Sequence, residues 1–167
     1  MSGALAGVAR RTFEVRDLEF LYQVYAASRA REMVLLPHWS DGEKEAFLRD
    51  QFSLQHTHYQ AHYPQARYQV ILKEEVAIGR LYVAPLDGEI RLMDIALLPP
   101  WRGLGIGSAL VREVMEEGRG SGRLVSLHVE ADNPARRLYR RLGFVDVGEV
   151  GVYRLMHWHP PGFGDGD

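Results

Sequence analysis

The stretch Arg102-Gly103-Leu104-Gly105-Ile106-Gly107-Ser108 decides the fold of this chain. It follows an apolar run, Ile90 to Leu98, and it opens a segment in which Ile106, Leu110 and Val114 recur with helical spacing. Glycine lets a ligand approach the backbone closely, and the N–H groups and partial positive charge at a helix start attract anions. A strand that turns through three glycines into a helix therefore predicts a phosphate-binding turn.

The spacing of these glycines excludes two common phosphate motifs. A Walker motif carries Lys and then Ser or Thr after its last glycine, whereas Ser108 directly follows Gly107. A dinucleotide fingerprint needs glycine at its sixth position, which Ser108 occupies here. The pattern that fits is Arg-x-x-Gly-x-Gly, and a second motif follows about thirty residues later, from Asn133 to Phe144 (Asn-Pro-Ala-Arg-Arg-Leu-Tyr-Arg-Arg-Leu-Gly-Phe).

Together the two motifs resemble the signature motifs of the GCN5-related N-acetyltransferase (GNAT) superfamily. The resemblance is residue by residue from Ile90 to Tyr153 and mostly topological from Thr12 to Ala84. It implies that Arg102, Gly103, Leu104, Gly105, Ile106, Gly107 and Ser108 hold the pyrophosphate of acetyl-CoA. It further implies that backbone groups of Ile95, Ala96 and Leu97 pair with the pantetheine arm, and that Asn133, Ala135, Arg136 and Tyr139 contact the same cosubstrate.

Tyr139 is the predicted general acid. A phenol with a pKa of ~10 stays protonated at neutral pH and can donate a proton to a departing thiolate. Packing of a buried aromatic ring is the competing interpretation. Asn133 is also expected to cap the short helix that carries Tyr139.

The sequence leaves the general base open between His128, Asp94 and a chain of water molecules. His128 precedes Asn133 on a predicted strand, and a neutral imidazole can accept an ammonium proton. In bacterial ribosomal-protein N-terminal acetyltransferases, which look similar here, the matching position carries a catalytic Glu. Asp94 lies inside an apolar run, where a charge needs a partner or a purpose. Glu130 shares the face of His128 and could orient it.

Composition excludes several classes of protein. The chain has 167 residues, no Cys and a net charge of −2, with 46% hydrophobic and 25% charged residues. Without Cys there is no disulfide framework and no thiolate metal site, and no metal cofactor is expected. His58 and His62 are spaced i, i+4 but lack further ligands, and the arginines that follow Asn133 lie in an acidic protein. We therefore expect no nucleic-acid partner, no membrane partner and a cytoplasmic location, while a homodimer remains open.

The order of predicted elements indicates an α/β protein with a mixed sheet. Helices are expected after Asp17 and after Ser40, where Ser40 and Glu43 have the spacing of a capping box. Antiparallel strands follow, and then a parallel β-α-β crossover with splayed central strands, as the resemblance also implies. The predicted domain covers residues 12–159, with a first strand near Thr12–Val15, between flexible segments at residues 1–11 and 160–167.

The predicted function is acetyl transfer from acetyl-CoA to a primary amine of a small molecule or a polypeptide, by direct attack. A non-catalytic acyl-CoA-binding sensor or scaffold is the alternative. The candidate acceptor-binding residues come from the first helices, the loop between them and the last strands, with Glu130 beside them. They are Arg29, Arg31, His38, Trp39, Glu130 and Tyr153.

Overall fold

The computed structural model describes residues 3–162. These residues contain seven strands and five α-helices, joined by turns and short 3-10 helices. The strands are β1 (Val8–Thr12), β2 (Arg67–Lys73), β3 (Val76–Pro85), β4 (Glu89–Leu97), β5 (Leu124–Glu130), β6 (Val145–Val150) and β7 (Tyr153–Trp158). The α-helices are α1 (Leu18–Ser28), α2 (Ala30–Met33), α3 (Asp41–His62), α4 (Ile106–Ser121) and α5 (Ala135–Leu142). Residues 1–2 and 163–167, which were predicted to be flexible, lie outside the described residues.

The seven strands form one mixed sheet in the order β1-β2-β3-β4-β5-β7-β6. Strands β4 and β5 pair in parallel across the crossover helix α4, and the other neighbouring pairs of this sheet are antiparallel. The predicted mixed α/β architecture, with antiparallel strands first and a parallel crossover afterwards, is confirmed.

The prediction for the first strand was wrong. Strand β1 runs from Val8 to Thr12 and pairs with Gln69–Lys73, so that it includes residues expected to be flexible. The strand ends early because the Asp17 carboxylate accepts hydrogen bonds from the Glu14 N–H at 2.7 Å and from the Arg11 guanidinium at 2.7 and 2.9 Å. These bonds turn the chain into a 3-10 helix. Asp17 lies at the start of α1, but its side chain makes no capping hydrogen bond to α1.

The predicted start of α3 is confirmed in detail. The Glu43 N–H donates to Ser40 Oγ at 3.1 Å, and the Ser40 N–H donates to Glu43 Oε1 at 3.0 Å, which completes the capping box. The short helix α2 was not predicted, because four residues are too few to show helical periodicity.

Hydrophobic cores lie on both faces of the sheet. On one face, Leu110 and Val114 of α4 pack with Phe144 against the central strands. On the other, Leu21 of α1 and Phe52 of α3 pack against β2. The helices thus cover both faces, and the sheet is the rigid frame between them.

The parallel pair separates after four residues of each strand. Pairing extends from Glu89–Leu92 on β4 to Leu124–Leu127 on β5, after which the two strands diverge. Just beyond, the register between β3 and β4 shifts: Val83 faces Leu92 and Tyr82 faces Asp94, so that Met93 is the extra residue of a β-bulge. The predicted splay of the central strands is confirmed, and it opens a fork in the middle of the sheet.

Candidate active site

A cleft of about 1080 Å³ occupies this fork. Residues Asp94–Leu97 of β4 form one wall and His128–Glu130 of β5 form the other. One end, which we name the turn end, is lined by Leu97, Arg102 and Asn133. The opposite end, which we name the tyrosine end, is lined by residues of α1, α3 and β7, including Tyr25, Tyr59 and Tyr153.

Beyond the fork, the backbone of β4 turns the hydrogen-bonding groups of alternate residues toward the cleft. The Leu98 N–H donates to the Ile78 carbonyl of β3 at 2.8 Å. Because backbone groups alternate along a strand, those of Ala96 also face β3, whereas those of Ile95 and Leu97 face the cleft. The Leu97 carbonyl accepts a hydrogen bond from Arg102 Nε at 2.9 Å. Ile95 and Leu97 therefore have the orientation that pairing with an extended ligand requires.

The glycine-rich turn joins β4 to α4 in a conformation that favours glycine. Gly103 has a φ of 74° and Gly105 a φ of 84°, in the left-handed region. Gly105 precedes the helix and provides no side-chain cap, so that the N–H groups of the first turn, Ile106 to Ser108, are left for another acceptor. The Ile106 side chain is buried in the core and anchors the turn. A helix start with this geometry can bind an anion, and phosphate binding by this turn stays a prediction.

The loop between β5 and α5 carries the second motif. Asn133 Oδ1 accepts a hydrogen bond from the N–H of Ala135, the first residue of α5, at 2.9 Å, although Pro134 and not Asn133 is the residue directly before the helix. Asn133 and Ala135 both line the cleft. The Arg136 guanidinium donates to the Ala131 carbonyl and lies 3.6 Å from the Asp146 carboxylate. Arg136, predicted to contact the cosubstrate, thus fastens this loop to the start of β6.

Tyr139 lies on α5. Its side chain is largely buried, and the part that stays accessible lines the cleft. It packs edge to face on Phe144, with the ring centres 5.8 Å apart. Burial and then the negative charge of Asp94 raise the pKa of Tyr139 to about 12. The phenol is therefore protonated at neutral pH.

His128 follows Leu127, the last residue of β5 that pairs with β4. His128 is an exposed residue of the cleft wall, and partial desolvation and then the charge of Arg91 lower its pKa below 6.5, while Glu89 opposes this shift. Ser126, on the same face of β5, accepts a hydrogen bond from Arg91 Nε at 2.7 Å and donates to Glu89. His128 is therefore a neutral imidazole at neutral pH beside a fixed polar network.

Glu130 belongs to the tyrosine end. Burial and then the charges of Glu32 and Asp132 raise the pKa of Glu130, while Arg29 opposes the shift. The Arg29 guanidinium is itself engaged, with Nε 2.6 Å from Glu32 and Nη1 2.5 Å from the Tyr25 hydroxyl. Glu130 thus lies within the electrostatic influence of Glu32 and Arg29, and its predicted role in orienting His128 stays a prediction.

Two predicted acceptor residues lie away from the cleft. Arg29, Arg31, Glu130 and Tyr153 line it, but His38 and Trp39 do not. His38 is exposed, and the Trp39 ring packs edge to face on Phe47 at 5.5 Å. The turn between α2 and α3 thus carries these two side chains toward α3.

Sequence reasoning missed Arg80, Tyr25 and Tyr59. The charge of Asp94 needed a partner, and this partner is Arg80 on the neighbouring strand. Arg80 Nη2 lies 2.7 Å from Asp94 Oδ2. Arg80 interrupts the apolar run Val76–Val83, which is the same signal that identified Asp94. Tyr25 and Tyr59 gave no such signal, because aromatic residues on helices are usually core residues.

Other clusters do not form sites of their own. The rings of His58 and His62 stack at 4.1 Å on the surface of α3. Within residues 3–162, no three His, Asp or Glu side chains come together as a metal site requires. None of the helices in that range has both the length and the apolar character needed to cross a membrane.

Comparison with known proteins was made by sequence and by structure. Residues 21–144 match the family model described as the acetyltransferase (GNAT) family. The N-alpha-acetyltransferase RimI of Mycobacterium tuberculosis is 39% identical over 88 residues, which are 52% of this chain and 54% of that protein. A GCN5-like protein acetyltransferase of the same organism is 37% identical over 75 residues, 43% of this chain and 34% of that protein. The matched region thus spans about half of the first relative and a third of the second.

The fold agrees with solved structures. The PaiA N-acetyltransferase of Thermoplasma acidophilum, crystallised in complex with coenzyme A, superposes with a TM-score of 0.68. It is 19% identical, and the alignment covers 95% of this chain and 99% of that chain. At this level of identity the similarity concerns the fold.

Proposed function

The chain belongs to the GNAT acetyltransferase family, and on this premise we propose that it transfers an acetyl group from acetyl-CoA to a primary amine by direct attack. The observation that carries the proposal is the fork between β4 and β5. It brings the backbone of β4, the buried phenol of Tyr139 and Arg102, the first residue of the glycine-rich turn, into one continuous cleft.

Acetyl-CoA would bind in an extended conformation at the turn end of the cleft. Its phosphates would accept hydrogen bonds from the N–H groups at the start of α4, and its pantetheine amides would pair with Ile95 and Leu97. The crystal structure of a protein with the same fold in complex with coenzyme A supports acetyl-CoA as the cosubstrate. Bound there, acetyl-CoA supplies the activated acetyl group.

In the acetyl transfer, residues of this chain would move the protons and stabilise the developing charge. His128 would accept the proton of the attacking amine, directly or through water, because its lowered pKa keeps it neutral. A backbone N–H of β4 would hydrogen-bond the thioester oxygen as negative charge develops on it. Tyr139 would donate its proton to the departing sulfur. Each proton then has a donor and an acceptor without a metal.

The acceptor that the cleft favours is an amine of a polypeptide. The mouth of the tyrosine end is bordered by exposed apolar side chains, Val34 and Leu35 on one side and Val150 and Tyr153 on the other. Exposed apolar borders of this kind are typical of surfaces that receive another polypeptide. The names of the two mycobacterial relatives, an N-alpha-acetyltransferase and a protein acetyltransferase, support this choice. A cytoplasmic location and a homodimer remain part of the proposal.

A panel of acceptors tests the proposal. Purified protein is incubated with acetyl-CoA and with peptides, free amino acids or small amines, while released thiol and intact mass are recorded. We expect thiol release that depends on the amine, and a mass increase of one acetyl group on at least one peptide. Binding of acetyl-CoA without turnover on any acceptor would favour the alternative, a non-catalytic sensor or scaffold.

A further inference from the structure

Arg80 is a charged side chain in the interior of the protein. It lies in the middle of β3 and only 2% of its surface is exposed. Burying a guanidinium costs several kcal/mol unless it is fully paired, so that its presence requires an explanation. Burial is the largest single influence and lowers the pKa of Arg80, but the charge and hydrogen bonds of Asp94, together with Tyr82 and Tyr59, raise this pKa by more in sum, so that Arg80 stays charged.

The contacts of Arg80 hold one carboxylate in a fixed orientation. Its Nη2 lies 2.7 Å from Asp94 Oδ2 and its Nε lies 3.3 Å from Asp94 Oδ1. Gln55 of α3 accepts a further hydrogen bond from Nη2 at 3.0 Å. The guanidinium also lies 4.8 Å from the ring centre of Tyr82 and 5.7 Å from that of Tyr25. A forked pair of this kind fixes both position and plane of the carboxylate.

The two members of the pair are not equally buried. The Asp94 side chain keeps 19% of its surface exposed, compared with 2% for Arg80, and Asp94 lines the cleft. The bulge at Met93 places Asp94 two residues beyond the point where β4 leaves β5. A pair that served packing alone could be replaced by apolar side chains without loss. Both side chains line the cleft, but the guanidinium is almost fully covered, whereas part of the Asp94 carboxylate stays accessible.

Tyrosine side chains surround the Asp94 carboxylate in the cleft. Tyr59, Tyr139 and Tyr153 line the same part of the cleft, and the charge of Asp94 contributes to raising the pKa of each of them. A carboxylate among neutral phenols suits a ligand that carries a positive charge on a partly apolar group.

We infer that Arg80 is a positioning residue that holds Asp94 as a fixed anion, and that this anion selects acceptors whose amine arrives as an ammonium ion. This inference rests on the proposed function. Because two guanidinium hydrogen bonds fix the position of the carboxylate, Asp94 serves as the anchor of the ammonium ion, and His128 remains the group that removes the proton.

The test measures binding and needs no turnover. Benzylamine, an ammonium ion at neutral pH, and benzyl alcohol, its neutral analogue, are titrated into coenzyme A-saturated protein and followed by NMR. We expect the wild-type protein to prefer benzylamine by roughly tenfold, the scale of one charge-assisted hydrogen bond. Asp94→Asn and Arg80→Met should both abolish this preference, and Arg80→Lys should restore part of it because a single ammonium cannot replace the fork.

A matched control separates this role from general stability. Arg67→Met removes another forked pair, which lies away from the cleft. In this pair the Arg67 guanidinium lies 2.6 and 3.1 Å from the two carboxylate oxygens of Glu117 on α4. The Arg67→Met variant should keep the preference for benzylamine. If Arg80→Met does not fold, Gln55→Met removes only one hydrogen bond of Arg80 and should reduce the preference by roughly twofold.

Two results would overturn the inference: a wild-type protein without preference for benzylamine, or a folded Arg80→Met variant that keeps it. Loss of the proposed function looks different, because a protein that retains the preference but acetylates no acceptor would refute catalysis and leave the ammonium site standing.

Discussion

At the turn end of the cleft the groups available to a ligand belong to the backbone, whereas at the tyrosine end they belong to side chains. Gly103, Gly105 and the first turn of α4 come from one continuous stretch of six residues, so that their geometry is local. Arg29, Tyr59 and Tyr153 come from three elements that are distant in the sequence. We conclude that a short motif can specify the first end, while the second exists only after the chain has folded.

The largest expected effect is on the turn end. Gly105→Glu adds a negative charge where the phosphates of acetyl-CoA are expected, and should weaken acetyl-CoA binding by at least about 100-fold in calorimetry. Gly105→Ala carries the same backbone strain at a φ of 84° without the charge, and should lose far less affinity.

Gly120→Glu is the control at the other end of α4. A side chain at Gly120 meets open space, so that this variant should bind normally. Equal affinities of folded Gly105→Glu and wild-type protein would show that the turn does not hold the phosphates.

The next effect is on the proton donor between the two ends. Tyr139→Phe keeps the ring on Phe144 and removes only the hydroxyl, so that turnover should fall by roughly tenfold to a thousandfold with acetyl-CoA affinity nearly unchanged. Tyr22→Phe is a matched control, since Tyr22 is buried on α1 beside Phe52 and does not line the cleft. If Tyr139→Phe turned over as fast as the wild-type protein, Tyr139 would not be the general acid and its role would be packing alone.

A smaller effect concerns the dependence of the rate on pH. Because the His128 imidazole must be unprotonated to act as a base, the rate should be at its maximum above the pKa of His128. It should fall as the pH drops through this pKa. That pKa lies below 6.5, so the limb should appear on the acidic side of pH 6.5. His128→Ala should lower the rate and remove this limb from the profile of kcat/KM.

Asp94→Asn separates the two candidates for the base. It should keep the acidic limb and raise the KM of the acceptor, if Asp94 anchors the ammonium ion. Disappearance of the limb in Asp94→Asn, with its retention in His128→Ala, would transfer the role of base to Asp94. An unchanged profile in both variants would leave a chain of water molecules.

The smallest effect is expected outside the cleft. His38→Ala changes an exposed side chain between α2 and α3, and should alter the kcat/KM of any acceptor by no more than about twofold, as is usual for surface substitutions. Steady-state kinetics with the best peptide of the panel measures this. A loss of tenfold or more would mean that the turn carrying His38 closes over the acceptor, and that the tyrosine end extends beyond the present cleft.

The sequence by itself determined the elements that depend on near neighbours. The capping box of Ser40 and Glu43, the glycine-rich turn and the hydrogen bond that Asn133 accepts from Ala135 each use residues within a few positions of one another. The first strand was misplaced even though its end is also set by near neighbours. Its end depends on the hydrogen bonds of Asp17 with Arg11 and Glu14, which no periodicity reveals.

The tertiary structure decided the side-chain contacts of the tyrosine end. The sequence indicated that Asp94 needs a partner, but the antiparallel register of β3 and β4 selected Arg80, fourteen residues away. In the same way, the strands brought Glu130 toward Glu32 and Arg29, and the turn after α2 carried Trp39 to Phe47. Backbone geometry follows from local sequence, whereas the pairing of distant side chains depends on the register and packing of the whole sheet.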